Sequence, residues 1–168
     1  MRSLRLTSLL LALVAPLRAL AQDQPVPARI AAEYAVWHLQ FASVPDVSAA
    51  DLLAGRGPAG AVLVDVREPA ERAVSTLPGA VSREVYLADD ARYAGRPVVV
   101  YCTIGYRSGL FAAELRAAGV DATNLAGSVL AWTWAGGPLV DPTGAPTRRV
   151  HVYGPSWDLV APGYEATW

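Results

Sequence analysis

The chain has 168 residues and a net charge of −1 at pH 7, from 14 basic residues, all of them arginine, and 15 acidic ones. This balance excludes an extended basic surface for nucleic acid, and the presence of a single cysteine, Cys102, excludes a disulfide within the chain. The length suits one domain with a substantial hydrophobic core.

The segment 1–21 is typical of a secretory signal peptide. Arg2 and Arg5 give it a positive start, residues 6–14 form an apolar run, and Ala19-Leu20-Ala21 is a small-residue cleavage site. The apolar run is too short to anchor the chain across a bilayer. We therefore expect cleavage after this site, export to the periplasm or secretion, and no membrane span once the signal is removed.

Residues 22–43 are predicted to form a lead-in followed by a packed helix. The lead-in, 22–27, is polar and rich in proline, whereas apolar side chains in 28–42 recur at helical spacing. A short edge strand is predicted at 44–47. Ser48 then provides a good N-cap for a short helix that ends at a glycine.

The segment 44–140 alternates strands with helices, which is typical of an α/β fold with a parallel sheet. Apolar runs at 61–66 and 97–101 suit strands that are buried on both faces. Ligands of such sheets bind at the carboxyl ends of the strands, where Asp65 and Cys102 both lie. The remaining predicted elements are short strands at 77–81 and 122–125 and helices at 69–73, 108–118 and 127–134.

The C-terminal segment, 141–168, is interrupted by proline and glycine and rich in aromatic residues. Exposing many aromatic side chains to water is unfavourable. We therefore predict an ordered extension that packs on the core and buries its four large aromatics, which are Tyr153, Trp157, Tyr164 and Trp168.

The most informative pattern surrounds Cys102. This residue closes an apolar strand, and a short loop containing Gly105 and Arg107 leads into a predicted helix. Such a turn aims backbone N–H groups and a helix N-terminus at the sulfur, with Arg107 as a nearby cation; these features stabilise a thiolate and hold an anion above it. The alternative is an inert buried cysteine, which the loop disfavours. We interpret Cys102 as a nucleophile that carries an anionic group.

Four motifs around this loop occur together, in chain order: Asp65-Val66-Arg67-Glu68, Leu77-Pro78-Gly79-Ala80, Cys102-x-x-Gly105-x-Arg107-Ser108, and Leu125-Ala126-Gly127 followed by Ala131-Trp132. In these motifs the chain resembles the rhodanese (sulfurtransferase) domains, over about residues 44–140. Ser128 departs from the family pattern, which usually has a second glycine there. The resemblance implies a five-stranded parallel sheet flanked by helices, here with an N-terminal helix and an aromatic-rich C-terminal extension.

The resemblance also implies a reaction. Cys102 would attack the outer sulfur of thiosulfate or a similar anionic donor, release sulfite and hold the sulfur as a persulfide. It would then pass that sulfur to a thiophilic acceptor such as cyanide, a thiol or a sulfur-carrier protein. No cofactor is expected, because loop N–H donors can stabilise the anionic persulfide.

The loop residues are assigned roles on the same basis. Arg107 either attracts the anionic donor and stabilises the thiolate or leaving sulfite, or serves as a scaffold bonded to loop carbonyls or an acid. Ser108 is predicted to be a helix N-cap, and Tyr106 either lines the entrance or covers the core. The predicted N–H cradle consists of Thr103, Ile104, Gly105, Tyr106 and Arg107.

Asp65 and Arg67 are predicted to support the loop rather than to react. A carboxylate at a strand end can bind backbone N–H groups or pair with an arginine. Arg67 could in addition contribute positive potential at the rim of the site.

Other functions were weighed against this one. Related phosphatases and arsenate reductases have a loop one residue longer than the six residues of 102–107, and the loop contains no general acid for a phosphatase. The alternative to an enzyme is a binding or persulfide-carrier module, which would hold a persulfide or dock a partner through the aromatic tail. No metal site is expected, because His38 and His151 lack clustered ligands.

Overall fold

The computed structural model describes residues 24–168, and its centre is a five-stranded parallel sheet flanked by helices. The strands are β1 (Asp46–Val47), β2 (Val62–Asp65), β3 (Val81–Ser82), β4 (Val98–Tyr101) and β5 (Ala122–Leu125), in the order β1-β5-β4-β2-β3. The helices are α1 (Val26–His38), α2 (Ala49–Leu53), α3 (Pro69–Arg72), α4 (Arg83–Ala88), α5 (Asp90–Tyr93), α6 (Tyr106–Ala117) and α7 (Ser128–Trp134). The five-stranded parallel sheet flanked by helices is the fold that was predicted from the sequence, whereas α4 and α5 were not predicted.

Two small sheets lie outside the central one. Strand β6 (Leu139–Val140) pairs antiparallel with β7 (Pro146–Thr147), and β8 (Arg149–His151) pairs in parallel with β9 (Glu165–Thr167). A 3-10 helix, Pro155–Trp157, lies between β8 and β9. The C-terminal extension is therefore ordered.

Strand β4 occupies the middle of the sheet and is buried on both faces. Val98 and Val100 belong to the core on one side, and Val99 and Tyr101 to the core on the other. Successive strand residues point to opposite faces, and parallel strands covered by helices on both sides are apolar throughout. Hence the continuous apolar run places the residue after it, Cys102, at the carboxyl edge of the sheet.

The flanking segments complete both cores. Ile30 from α1 joins Val150, Val152 and Leu159 from the C-terminal extension in the core on one side of the sheet. Tyr34 from α1 lies in the core on the other side. Helix α1 and the extension are thus packed on the sheet, and Trp37 of α1 and Tyr153 and Trp157 of the extension line the same cavity as Cys102 at the carboxyl edge.

The expectation that the extension buries its four aromatics is wrong: two of them are exposed, and the other two, Trp157 and Tyr164, are only half-buried. Tyr153 is 67% exposed and Trp168 is 61% exposed. The fully buried contact with the core is made by aliphatic side chains such as Val150 and Val152, while Trp157 and Tyr164 pack against that core as half-buried side chains.

The predicted signal peptide, residues 1–21, lies outside the described residues. Within 24–168, no helix combines the length and the apolar character needed to cross a membrane. The segment boundaries at 22–43, 44–140 and 141–168 stay predictions.

Candidate active site

Cys102 follows β4 directly and its side chain is almost completely buried, with 1% of the residue accessible. Two donors converge on its sulfur. The N–H of Gly105 donates to Sγ at 3.2 Å, and the Ser108 hydroxyl lies 3.6 Å from Sγ in donor geometry. Donors of this kind stabilise a thiolate or another anion on sulfur. Donation by the amides of the other cradle residues, Thr103, Ile104, Tyr106 and Arg107, stays a prediction.

The prediction that Ser108 is an N-cap is wrong. Helix α6 begins at Tyr106, and Gly105 takes the N-cap position with φ at 109°. Ser108 lies inside the first turns of the helix, fully buried, and its hydroxyl turns to the sulfur. The helix starts early because the left-handed conformation of Gly105, which glycine adopts readily, ends the loop there.

The start of α7 also holds the cysteine loop in place through hydrogen bonds to its backbone. The Cys102 N–H donates to Ser128 Oγ at 3.0 Å, and the N–H groups of Val129 and Leu130 donate to the carbonyls of Cys102 and Thr103. Ser128 itself has φ at 46°, in the left-handed region where glycine is favoured. The departure from the family pattern at this position therefore keeps the glycine-like backbone and adds a hydroxyl that binds the loop.

Arg107 has a carboxylate partner that sequence reasoning missed. Its guanidinium donates two hydrogen bonds to Glu71, with Nη1 2.7 Å from Oε2 and Nη2 2.8 Å from Oε1. Thr103 joins them, its hydroxyl donating to Glu71 Oε1 at 3.0 Å. The scaffold role weighed for Arg107 is therefore present, since it bonds an acid, while Arg107 also lines the cavity above Cys102.

Glu71 is buried, with 2% of its surface accessible. Burial works to raise the pKa of its carboxyl, but the hydrogen bonds from Arg107 and the Glu68 N–H, together with the charges of Arg107 and Arg67, outweigh burial and hold the pKa below its usual range. Glu71 also accepts from the Glu68 N–H as the third residue of a capping box at the start of α3. In the sequence, the Glu68-Pro69-Ala70-Glu71 spacing indicates a capping box at the start of α3, but it does not indicate that Glu71 pairs with Arg107.

We expect Glu71→Gln to lower the free energy of unfolding by about 2 kcal/mol at neutral pH, between the values for exposed and fully buried ion pairs. Because the folded-state pKa of Glu71 is lowered, its stabilising effect is present above the unfolded pKa of about 4.3 and is lost as pH falls. Urea unfolding of both proteins between about pH 6 and pH 3 measures this. The difference in unfolding free energy between wild type and Glu71→Gln should become smaller as the pH is lowered. A difference that does not change with pH would contradict the prediction.

Asp65 and Arg67 form an ion pair in the interior at the end of β2. Their side chains are 1% and 0% exposed, and Arg67 Nη2 lies 2.7 Å from Asp65 Oδ2. Arg67 also donates to the Ser75 carbonyl at 2.6 Å. The supporting position predicted for both residues agrees with this geometry, but the suggested contribution of Arg67 to the rim is wrong because its guanidinium has no solvent access.

Helix α1 reaches the back of the loop through Tyr34. Asn124 Nδ2, on β5, donates both to the Gly105 carbonyl and to Tyr34 Oη, each at 2.9 Å. Tyr34 Oη in turn donates to Asp46 Oδ1 at 2.5 Å. A Cβ on Gly105 would lie 2.6 Å from the Tyr34 ring. The loop is thus held from behind by side chains that lie 19 and 71 residues away along the chain.

We expect Tyr34→Phe to cost about 1–2 kcal/mol of unfolding free energy, because Asp46 and Asn124 lose a partner for a buried or half-buried polar group while the ring stays against Gly105. Urea denaturation checks this. Val36→Ala on the exposed face of α1 is the matched control, since Val36 is 61% exposed and should change stability little. Equal denaturation midpoints for wild type and Tyr34→Phe would contradict the prediction.

A cavity of about 260 Å³ opens above Cys102. Cys102 and Ile104 form part of its lining, with Arg107 at one side. Aromatic side chains supply the rest of the wall: Trp37, Tyr106, Tyr153 and Trp157. Tyr106 does both of the things predicted as alternatives: it lines the cavity and it packs against the core on both sides of the sheet.

No cluster of metal-ligating side chains adds to this arrangement within residues 24–168. No group of three or more His, Cys, Asp or Glu residues there is placed to hold a metal ion. His38 lies beside Asp46, with Nδ1 3.5 Å from Oδ2, and His151 Nδ1 accepts from the Tyr153 N–H at 3.2 Å. The chemistry available in the cavity is that of a buried thiol surrounded by hydrogen-bond donors and aromatic walls.

This combination of parallel sheet and cysteine loop matches one family. Residues 48–135, just over half of the chain, match the family model of the rhodanese-like domain. The chain therefore belongs to the rhodanese-like domain family, and the resemblance seen in the sequence motifs is confirmed.

Individual relatives are similar over parts of their length. An uncharacterized protein of Synechocystis sp. is 35% identical over 118 residues, which cover 61% of this chain and 66% of that protein, just under two thirds. A protein of Allochromatium vinosum named sulfurtransferase is 37% identical over 87 residues, or 49% of this chain and 81% of that one.

Solved structures show the same fold. The thiosulfate sulfurtransferase of Pseudomonas aeruginosa aligns with a TM-score of 0.53 and 26% identity over 73% of this chain and 24% of that one. A protein of Rhodopseudomonas palustris described as a possible tyrosine phosphatase aligns with a TM-score of 0.50 and 25% identity over 70% of this chain and 95% of that one. The fold is thus shared by proteins described with two different chemistries.

Proposed function

We propose that this protein is a sulfurtransferase that carries sulfane sulfur as a persulfide on Cys102. The observation that supports this most strongly is the convergence of the Gly105 N–H and the Ser108 hydroxyl on Sγ at the base of an open cavity. A terminal persulfide sulfur is an anion, and fixed donors in a site shielded from water stabilise it without a cofactor. The sulfurtransferase name of the Allochromatium relative supports the same reaction class.

The cycle has two steps. The Cys102 thiolate attacks the outer sulfur of thiosulfate or a similar donor; an S–S bond to Sγ forms, the S–S bond of the donor breaks, and its electron pair leaves with sulfite. A thiophilic acceptor then attacks the terminal sulfur of the persulfide, and the Cys102 thiolate is regenerated. Arg107, which lines the same cavity as Cys102, would attract the anionic donor and stabilise the leaving sulfite.

The test is intact-mass measurement of the purified protein after thiosulfate and again after cyanide, with thiocyanate assayed in parallel. The proposal expects a gain of one sulfur atom on Cys102, which cyanide removes as thiocyanate. A free thiol that gains no sulfur from any donor would overturn it. Hydrolysis of p-nitrophenyl phosphate is measured alongside, because one neighbour of the fold is described as a possible phosphatase.

A non-catalytic persulfide carrier or partner-binding module is the alternative. The exposed Tyr153 and Trp168 of the extension are the features that favour it. A carrier would accept one sulfur per molecule and release it slowly, so that thiocyanate would not exceed the protein concentration. Repeated turnover in the same assay separates an enzyme from a carrier.

The proposal includes export. Residues 1–21 carry the features of a signal peptide, and cleavage after Ala21 would leave a chain that begins at Gln22. Expression of the full chain in a Gram-negative host, followed by fractionation and intact-mass analysis, tests this. A periplasmic protein that begins at Gln22 is expected, and full-length protein confined to the cytoplasm would contradict it.

A further inference from the structure

Three of the four aromatic residues in the cavity wall come from segments outside the part of the chain that matches the family model. Trp37 comes from α1, and Tyr153 and Trp157 come from the C-terminal extension, whereas the family match covers residues 48–135. Trp37 packs against Tyr106 with ring centroids 4.7 Å apart. These additions turn the opening above Cys102 into an aromatic cavity that the family motifs by themselves do not specify.

The charge in the cavity is compensated. Arg107 is the one cation among the described residues that line it, and its guanidinium is bound by both carboxylate oxygens of Glu71. The exposed side of the guanidinium lies 5.5 Å from the centre of the Tyr153 ring. A small dianion such as thiosulfate therefore meets little uncompensated positive charge, while an apolar or aromatic group meets four aromatic side chains.

The backbone conformation of Tyr153 is a second, independent observation. Its φ is 72°, in the left-handed region that is unfavourable for a bulky side chain. Burial does not explain this conformation, because the residue is 67% exposed. Strained residues of this kind cluster at functional sites. The strain places an aromatic ring over Arg107 at the mouth of the cavity.

We propose that the cavity selects organic sulfur donors with an aromatic substituent, which stacks on the wall formed by Trp37, Tyr106, Tyr153 and Trp157. This inference rests on the proposed sulfurtransferase function of Cys102 and deepens it. For a thiosulfonate donor, the thiolate attacks the terminal sulfur, an S–S bond to Sγ forms, the S–S bond of the donor breaks, and the electron pair leaves with the sulfinate. No oxidant or reductant is needed.

The experiment compares benzenethiosulfonate with methanethiosulfonate, which have the same charge and reacting atoms and differ in the aromatic ring. Thiosulfate is the third donor, and cyanide is the acceptor. The donor half-reaction sets kcat/KM for the donor in such a two-step cycle, and each value is divided by the rate constant for the same donor with free cysteine. We expect a corrected preference of about 10-fold or more for the aryl donor over the methyl donor, as apolar pockets give for added apolar groups.

Two matched variants connect this preference to the wall. Tyr153→Asn removes the ring and keeps a residue that tolerates the left-handed region; it should reduce the aryl-to-methyl ratio about threefold or more. Trp168→Asn is the control, because Trp168 belongs to the same extension, is similarly exposed and does not line the cavity. The ratio should be the same in this control as in the wild type.

The outcomes separate the two proposals. If Cys102 gains sulfur from all three donors and the corrected aryl-to-methyl ratio is close to one, the selectivity is wrong while the sulfurtransferase function stands. If the ratio is high but Tyr153→Asn leaves it unchanged, the wall described here does not produce it, and the inference is overturned. If no donor places sulfur on Cys102, the proposed function itself fails.

Discussion

Replacement of Cys102 by serine is expected to lower the rate of thiocyanate formation by about 10³-fold or more. Serine has nearly the same shape and can accept the hydrogen bond that the Gly105 N–H donates to Sγ in the wild type. Its hydroxyl is not ionised near neutral pH, however, and oxygen cannot take up the donor sulfur as a persulfide. The loss should therefore arise from chemistry and not from folding.

Thermal unfolding gives the control for this variant, since the Cys102→Ser protein should unfold within a few degrees of wild type. Intact mass after thiosulfate should show no added sulfur, because Cys102 is the only cysteine in the chain. Transfer that persists in a folded Cys102→Ser protein would mean that sulfur passes directly from donor to acceptor, and the persulfide cycle would be wrong.

Asp65→Asn is expected to cost about 3–5 kcal/mol of unfolding free energy, because it leaves the charge of Arg67 uncompensated in the interior. The two side chains are essentially inaccessible, and three contacts within hydrogen-bond distance join them. Burial works to lower the pKa of Arg67, but the charge and hydrogen bonds of Asp65, together with the smaller effects of Tyr101 and Glu71, outweigh burial and raise the pKa, so the arginine stays charged in the folded protein. This loss is a large part of the total free energy of unfolding, which is about 5–15 kcal/mol for a typical folded domain.

Urea unfolding measures this loss, with Glu114→Gln as the control. Glu114 pairs with Arg83 at 3.6 Å on the surface, and both side chains are largely exposed, so its neutralisation should cost less than about 1 kcal/mol. The double variant Asp65→Leu, Arg67→Met should recover part of the loss, because no charge then remains buried. A single Asp65→Asn variant as stable as wild type would show that the ion pair does not hold the end of β2.

The elements that could be predicted from the sequence are those whose signals are local. The apolar run at Val98–Tyr101 predicted the central strand because a strand covered on both faces needs apolar side chains at every position. Ser48 predicted the start of α2, and its hydroxyl accepts the Asp51 N–H as an N-cap should. Ser108 shows the limit of such rules. A local preference assigned it to the cap, but the left-handed Gly105 took that position and turned Ser108 towards the sulfur.

By itself, the sequence determined the parallel sheet, the family and the position of Cys102 after a buried strand. Each of these rests on a local signal: the spacing of apolar residues, the residues that form turns, or a short contiguous motif. The tertiary structure alone decided that Glu71 neutralises Arg107, that Tyr34 and Asn124 hold Gly105 from behind, and that Trp37 and Tyr153 meet above the cysteine. These partners are separated by 19 to 116 residues along the chain. No local propensity encodes which distant side chains meet, because that depends on how the strands are ordered and how both chain ends pack on the sheet.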